Sequence, residues 1–169
     1  MTDFEDLTSW DDLDTIDVNI LRGIYAYGYE KPSPIQQKAI RPIIAGRDII
    51  GQAQSGTGKT ATFAIRSLSK IDLEQNETQI LVMSPTRELC TQTASVIENI
   101  GGMMKGLRLQ TAFGGGATNN SSSWGDSSKD LKPHIVCGCP GRIYDMMNRN
   151  KLTARHLKLV VIDEADEML

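Results

Sequence analysis

The stretch Ala53-Gln54-Ser55-Gly56-Thr57-Gly58-Lys59-Thr60 decides the fold of this 169-residue chain. It directly follows a short apolar run at residues 48–51 and opens a segment with helical periodicity. The general phosphate-loop pattern has Gly at its first position, which Ala53 takes here, and the rest of the pattern is present. Glycines let backbone N–H groups turn toward phosphate oxygens, Lys59 can reach the β- and γ-phosphates, and the Thr60 hydroxyl can bind Mg²⁺. A site for a magnesium nucleoside triphosphate is therefore predicted, rather than a glycine-rich turn without a ligand.

Short apolar runs bounded by turn residues alternate with helical patterns along the chain. This alternation predicts an α/β fold with a mainly parallel sheet flanked by helices. Loops at the carboxyl ends of the strands then carry the chemistry. Strands are predicted at residues 48–51, 79–84, 108–113, 134–138 and 158–163, and helical faces at 20–27, 64–71 and 89–100, with a further helix starting near Ile35. Residues 114–133 are poor in apolar side chains and are predicted to form a long surface loop, with one helical turn near 129–131.

The charge balance is mildly acidic. A net charge of −3 and a pI of about 5.4 do not indicate a protein that coats nucleic acid by charge alone, although a few Arg side chains and backbone amides suffice for local binding. No apolar run approaches the roughly 20 residues of a membrane span, so no membrane partner is expected.

The pair Cys137 and Cys139 lacks the second ligand pair of a zinc site. With Cys90 the cysteines are odd in number, and a reducing compartment, the cytoplasm or the nucleus, is expected.

An acidic motif, Asp163-Glu164-Ala165-Asp166, follows the apolar run at 159–162. At the end of a strand, Asp163 is placed to hold Mg²⁺ directly or through water. Glu164 could orient and deprotonate the water that attacks the γ-phosphate. Acidic clusters are also common at helix N-termini, where they complement the dipole, but the pairing with the phosphate loop favours the catalytic interpretation.

The base of the nucleotide is predicted from two further residues. A GTP site usually carries Asn-Lys-x-Asp, and Asn150-Lys151-Leu152-Thr153 fails at the last position. The side-chain amide of Gln36 can donate to N7 and accept from the N6 amino group of adenine, a pairing that guanine does not offer. Tyr29 could supply an aromatic face for the base. ATP is therefore the expected nucleotide.

Six segments resemble, in their order, the motifs of the DEAD-box RNA helicases. They are residues 28–36, 53–60, 85–89, 114–115, 140–142 and 163–166, and the resemblance extends from about Trp10 to Leu169. Residues 21–28 resemble in particular the translation initiation factor 4A branch, including its exon-junction relative, and the two remain open alternatives. The resemblance implies that residues 28–169 form the first RecA-like phosphate-loop NTPase domain, incomplete at its C-terminal end, after an N-terminal extension and first helix at 1–27.

Site residues also follow from the resemblance. For ATP it implies Trp10, Tyr29, Lys31, Gln36, Ala53, Gln54, Ser55, Gly56, Thr57, Gly58, Lys59 and Thr60, with Lys59, Asp163 and Glu164 catalytic and Thr60 and Asp163 holding Mg²⁺. For RNA it implies Pro85, Thr86, Arg87, Gly114, Gly115, Pro140, Gly141 and Arg142. Because such contacts reach the sugar–phosphate backbone, single-stranded or duplex RNA would be bound independently of sequence, with RNA favoured through its 2′-hydroxyls.

The sequence departs from the family pattern at three places. Cys139 stands where the family usually has Thr before Pro-Gly-Arg, and a thiol is a poor donor. Cys90 replaces an Ala and is expected to be a small core residue. The Ser-rich residues 119–128 replace a usually more helical stretch.

The chain contains no Ser-Ala-Thr motif and no second helicase domain. In the family that motif's strand lies beside the Asp-Glu-Ala-Asp strand, so a gap in the sheet and a longer parent protein are expected. The resemblance implies an RNA-dependent ATPase and helicase in translation initiation or mRNA processing, with scaffold proteins of the initiation or exon-junction machinery as partners. By itself the chain is expected to bind nucleotide without turnover. A small-molecule kinase is the remaining alternative, and it would need no RNA motifs.

Overall fold

The computed structural model describes residues 4–54, 56–113 and 131–168. The helices and strands of these residues are α1 (Val18–Ala26), α2 (Pro34–Ile44), α3 (Lys59–Ser69), β1 (Ile80–Met83), α4 (Arg87–Ile100), β2 (Leu109–Ala112), β3 (Ile135–Gly138), α5 (Pro140–Asn148) and β4 (Leu159–Ile162). Short 3₁₀ turns lie at Trp10–Asp12, Gly101–Met103 and Ala165–Glu167. Of the helices in these ranges, none is long and apolar enough to cross a membrane.

The four described strands form one parallel sheet in the order β2-β3-β1-β4. The register aligns Met83 at the end of β1 with Gly138 on β3 and Ile162 on β4. β1 and β3 are the inner strands of this sheet and are almost continuously buried. Their unbroken apolar runs are typical of parallel strands covered on both faces.

Four of the five predicted strands form, each shorter than the apolar run that predicted it. The predicted strand at residues 48–51 is wrong: this run has no strand structure, and Ile50 is fully exposed at 102%. A strand needs a neighbour to satisfy its backbone N–H and C=O groups, and none of the described strands pairs with this run. β4 likewise pairs only with β1 among the described strands, and its Val160 and Ile162 are about half exposed.

The chain divides into two compact units. The first comprises Met1–Lys70 and Val96–Lys105, and the second comprises Ile71–Ser95 and Gly106–Leu169. The sequence predicted a boundary at residue 27 between an N-terminal extension and the domain at 28–169. That boundary was placed from the motifs, not from compact packing, and it stays a prediction.

The first unit is a packed group of helices, in which a glycine permits the closest approach. Gly23 of α1 lies against the end of α4, so that a Cβ at this position would be only 1.8 Å from the carbonyl oxygen of Ile100. The neighbouring Ile20 and Ile24 are completely buried. In the same unit, the Arg66 guanidinium of α3 donates to the carbonyl oxygen of Ile44 at 2.9 Å, at the C-terminal end of α2.

In the second unit, α5 packs on one face of the sheet. Its Ile143 and Met146 join Leu81, Ala112 and Val136 in a buried apolar cluster. Gly138 makes this contact possible, because a Cβ there would lie 2.6 Å from Ile143 Cδ1 and 2.7 Å from the Ala112 oxygen. The same closeness fixes the start of α5 beside the end of β3.

A buried histidine joins the amino ends of β2 and β3. His134 is 0% exposed, and its Nδ1 accepts the Arg108 backbone N–H at 3.2 Å. The Arg108 guanidinium nitrogen Nη2 lies 2.9 Å from His134 Nε2. Burial and the Arg108 charge lower the pKa of His134 from its ordinary 6.5, against smaller opposite effects of the Leu73 backbone and Asp72. The fold therefore holds this imidazole neutral.

This lowered pKa predicts a pH-dependent stability. The unfolded chain takes up the His134 proton near pH 6.5, whereas the folded chain does so only at lower pH, so the free energy of unfolding should fall as the pH is lowered through 6.5. Denaturant unfolding at pH values between about 7.5 and 5.5 measures this slope. His134→Gln should reduce the slope. His156→Gln, which removes the only other histidine, is the matched control, and an equal slope in wild type and His134→Gln would contradict the prediction.

Candidate functional site

Three of the predicted motifs meet at the carboxyl edge of the second unit's sheet. The parallel, aligned register makes this unavoidable, because residues that follow β1, β3 and β4 leave the sheet on the same side. Backbone bonds close the edge: Ser84 N–H donates to the Gly138 oxygen at 3.1 Å, and Asp163 N–H to the Met83 oxygen at 2.9 Å. Cys139 N–H donates to the Ala112 oxygen at 3.1 Å.

The motif Pro85-Thr86-Arg87 forms the start of α4. The Thr86 hydroxyl oxygen accepts the Leu89 N–H at 3.3 Å and so caps the helix. The Arg87 guanidinium lies 5.5 Å from the centre of the Phe113 ring, which follows β2. This cation–π contact holds an exposed arginine beside the sheet edge. The sequence did not indicate the contact of Phe113, since as the last residue of the apolar run 108–113 it was predicted only to end a strand.

The motif Pro140-Gly141-Arg142 forms the start of α5. Cys139 occupies the N-cap position without a side-chain cap, and Pro140 takes the first helical position, where its missing N–H costs nothing. A Cβ on Gly141 would meet no atom within 4 Å, so packing does not require glycine there. A bare backbone at an exposed helix start instead allows close approach of a ligand.

The starts of α4 and α5 follow β1 and β3, which are neighbours in the sheet. Each helix start concentrates N–H groups and the positive end of the helix dipole. Two adjacent helix starts with Arg87 and Arg142 are therefore suited to binding successive phosphates of one strand.

The two cysteines near this edge contribute no negative charge at neutral pH. Cys90 is completely buried, which confirms it as a small core residue, and burial raises the pKa of its thiol to about 12. Burial also raises the pKa of the Cys139 thiol. Cys139 thus gives the edge a neutral side chain in place of the hydroxyl usual in the family.

Asp163 and Glu164 follow β4 at the same edge. The Asp163 carboxylate accepts the Glu164 N–H at 3.1 Å and lies 3.4 Å from the Thr93 hydroxyl on α4. Glu164 adopts a left-handed backbone conformation with φ of 51°. Such a conformation costs a residue other than glycine about 1 kcal/mol or more, and it is often kept where it aims a functional side chain.

The side chains around Asp163 suit Mg²⁺, which takes few protein ligands, better than they suit a metal ion that is bound by protein side chains alone. No group of three or more His, Cys, Asp or Glu side chains suitable for a metal ion occurs within residues 4–54, 56–113 and 131–168. Mg²⁺ is usually held by one or two carboxylates together with phosphate oxygens and water. A single aspartate at the strand end, with a nucleotide supplying further oxygens, meets that requirement.

The phosphate loop lies in the first unit. Gly56 and Gly58 have φ of 80° and 96°, values that side chains disfavour, and Gly58 caps the start of α3 at Lys59. The Thr57 hydroxyl donates to the Gln54 carbonyl at 2.7 Å and closes the loop on itself. The backbone therefore has the left-handed turns that phosphate binding needs.

Gln36 connects α2 with the phosphate loop. It is 1% exposed; its Oε1 accepts the Ser33 N–H at 2.7 Å and its Nε2 donates to the Gly58 oxygen at 3.2 Å. The Ser33 hydroxyl donates to the Thr57 oxygen at 2.8 Å, so both residues brace the loop. The spacing Ser33-x-x-Gln36 is a capping-box signature that could have indicated this structural role. The amide retains one N–H and one lone pair, so reading of adenine stays a prediction.

The remaining predicted nucleotide residues lie in different surroundings. Trp10 was expected to contact the base region, but its ring is 0% exposed, and its indole N–H has no hydrogen-bond partner among the described residues. The core encloses this ring, and its contact with the base region stays a prediction. Tyr29 is half buried with its ring centre 4.9 Å from that of Tyr27, and Lys31 is exposed. Ser55, Gly114, Gly115 and the Ser-rich stretch lie outside the described residues.

A parallel α/β fold with a phosphate loop and these strand-end motifs defines the class of RecA-like phosphate-loop domains. A family profile described as "DEAD/DEAH box helicase" matches residues 33–169. The chain belongs to this family.

Individual relatives agree with the assignment. The chain is 50% identical over 153 residues to "ATP-dependent RNA helicase FAL1" of Mycosarcoma maydis, covering 89% of this chain and 37% of that protein. Among solved structures, yeast Dbp5 bound to RNA and ADP BeF3 matches with a TM-score of 0.82 and 32% identity, over 96% of this chain and 39% of that one. A DEAD box protein from Methanococcus jannaschii matches with a TM-score of 0.83 and 37% identity, over 96% and 43%. The predicted fold class is confirmed, and the chain spans about two fifths of the relatives it matches.

The brace at Gln36 predicts a structural loss that needs no nucleotide. Gln36→Ala leaves the partly buried Ser33 N–H without its acceptor and should lower the free energy of unfolding by about 1–3 kcal/mol. Denaturant unfolding without nucleotide measures it. Lys38→Ala, on the exposed side of the same helix, is the control and should change stability by less than about 0.5 kcal/mol. Equal stability of Gln36→Ala and wild type would show that the hydrogen bonds of Gln36 do not stabilise the fold.

Proposed function

We propose that this chain is the ATP- and RNA-binding N-terminal domain of an ATP-dependent RNA helicase. One observation carries the proposal: two helix starts with arginines and the Asp163–Glu164 pair leave the same edge of one aligned parallel sheet. That edge can bind a nucleic-acid backbone and also present carboxylates for nucleotide hydrolysis. A small-molecule kinase would need no RNA motifs.

The residues have separate roles in the proposed reaction. Lys59 and the backbone of the phosphate loop bind the β- and γ-phosphates. Thr60 and Asp163 are the residues that would hold Mg²⁺, whose charge would offset that of the phosphates. Glu164 orients the attacking water and accepts its proton. Gln36 and Tyr29 select adenine, with Gln36 linking the base to the loop through Gly58.

RNA binding is proposed for the starts of α4 and α5, with the segment at 114–115 as a further contact. Because these groups contact phosphate and sugar, affinity should be similar for unrelated sequences. We also propose that the protein belongs to the branch that resembles translation initiation factor 4A, works in translation initiation or mRNA processing in the cytoplasm or nucleus, and has scaffold proteins as partners. The 50% identity to a protein named as an ATP-dependent RNA helicase supports the activity, not the choice between these roles.

Turnover is proposed to need groups beyond this chain, which spans only 37% of that relative's length. Charge on the transferred phosphoryl group is typically stabilised by an arginine, which can come from another domain or another protein. The 169-residue chain should therefore bind nucleotide with little RNA-stimulated hydrolysis. Full RNA-stimulated turnover by this chain alone would contradict this part of the proposal.

The catalytic role of Glu164 is directly testable in the intact protein. Glu164→Gln removes the base and should lower RNA-stimulated kcat by about 10²-fold or more, while ATP binding stays within a few-fold. Steady-state hydrolysis and equilibrium binding of a fluorescent ATP analogue measure the two effects. Glu167→Gln, exposed in the following 3₁₀ turn, is the matched control. A Glu164→Gln variant with wild-type kcat would refute the assigned mechanism.

A further inference from the structure

Among the tyrosines, Tyr144 is the one whose ring and hydroxyl have no partner in the described part of the chain. The chain has four tyrosines. The Tyr25 hydroxyl donates to Asp11 at 3.0 Å, and Tyr27 and Tyr29 lie ring against ring. Tyr144 is 70% exposed, and among the described residues it has neither a stacked ring nor a hydrogen-bond partner.

The position of Tyr144 on α5 sets it beside the start of that helix. Residues three or four apart are neighbours on a helix surface, so Tyr144 lies one turn, about 5.4 Å, from Pro140 and Gly141 on the same face. Both residues are exposed, and Gly141 faces open space. The opposite face holds Ile143 and Met146, which are buried against the sheet. The exposed aromatic ring is thus not a displaced core residue.

The segment that contains Tyr144 is rich in basic residues. Asp145 is bound by two arginines, Arg142 at 2.7 Å and Arg149 at 2.6 Å, so its charge is more than balanced. Between residues 140 and 158 the sequence has five basic side chains and a single acidic one, although the whole chain has a net charge of −3. Asn150 and Lys151 close the C-terminal end of α5 with backbone bonds to Met147 and Met146, so the basic side chains are not needed as caps.

We propose that Tyr144 stacks on one base of the RNA strand whose phosphates bind at the starts of α4 and α5. An aromatic ring beside a basic backbone track is the combination that single-stranded nucleic acid binds without sequence preference, because every base has a face to stack. The exposed starts of the two helices hold the neighbouring phosphates while the ring carries the base. This inference rests on the proposed RNA binding and adds a base contact to a site otherwise made of backbone contacts.

The first test is RNA affinity of the intact protein with ADP and beryllium fluoride, measured by anisotropy of a labelled single-stranded RNA. Tyr144→Ala should weaken binding about tenfold. Tyr144→Phe retains the ring and should bind like wild type. Tyr25→Ala removes an exposed tyrosine in the first unit and is the matched control.

Salt dependence separates stacking from charge. Tyr144→Ala should keep the wild-type slope of log affinity against log salt, because no phosphate contact is lost. Arg142→Ala should reduce that slope by about one. A changed slope in Tyr144→Ala would overturn stacking as the cause of its effect.

Abasic scanning of the RNA locates the stacked nucleotide. One abasic position should reproduce the tenfold loss in wild type and cause no further loss in Tyr144→Ala, since the same contact is removed twice. If wild type binds RNA and Arg142→Ala weakens it, while Tyr144→Ala and every abasic RNA bind normally, the stacking inference fails alone. If wild type does not bind RNA at all, the proposed function fails as well.

Discussion

In-register pairing of parallel strands is the constraint on which the chemistry of the second unit depends. Met83, Gly138 and Ile162 end their strands at the same level, so the three motifs that follow cannot avoid one another. The bonds from Ser84, Cys139 and Asp163 to neighbouring strand ends then fix where each turn begins. Gly138 adds a steric condition, since only a residue without a side chain lets α5 close on the sheet and bring Arg142 to the edge.

In the first unit the corresponding constraint is the contact between α2 and the phosphate loop. Gly58 has a backbone conformation suited to glycine, and its oxygen accepts from Gln36. A Cβ there would lie 2.6 Å from the Gln36 amide nitrogen, so glycine serves both the turn and the contact. The residue expected to read adenine is therefore also the residue that holds the loop, which provides a physical route by which base and phosphate recognition influence each other.

Features encoded by local pattern could be predicted from the sequence. The apolar runs that became β1 to β4 follow from periodicity, whereas the motif at residues 140–142 was recognised only from the family resemblance. Residues 48–51 have the same apolar pattern and form no strand, because strand formation also depends on a neighbour that local pattern does not specify. Trp10 was assigned by resemblance and lies in the core, since burial depends on packing of distant segments. The sequence pattern did not single out Phe113 or Tyr144. Phe113 became a candidate because Arg87 lies over its ring, and Tyr144 because it is exposed beside Gly141.

The central claim is that the aligned strand ends join RNA binding to ATP hydrolysis. Its most direct test is the steady-state ATPase rate of the intact protein, measured without RNA and with saturating single-stranded RNAs of unrelated sequence. The account predicts a low basal rate and strong stimulation that is similar for every sequence, because the contacts reach the backbone. An ATPase rate that is the same with and without RNA would contradict it.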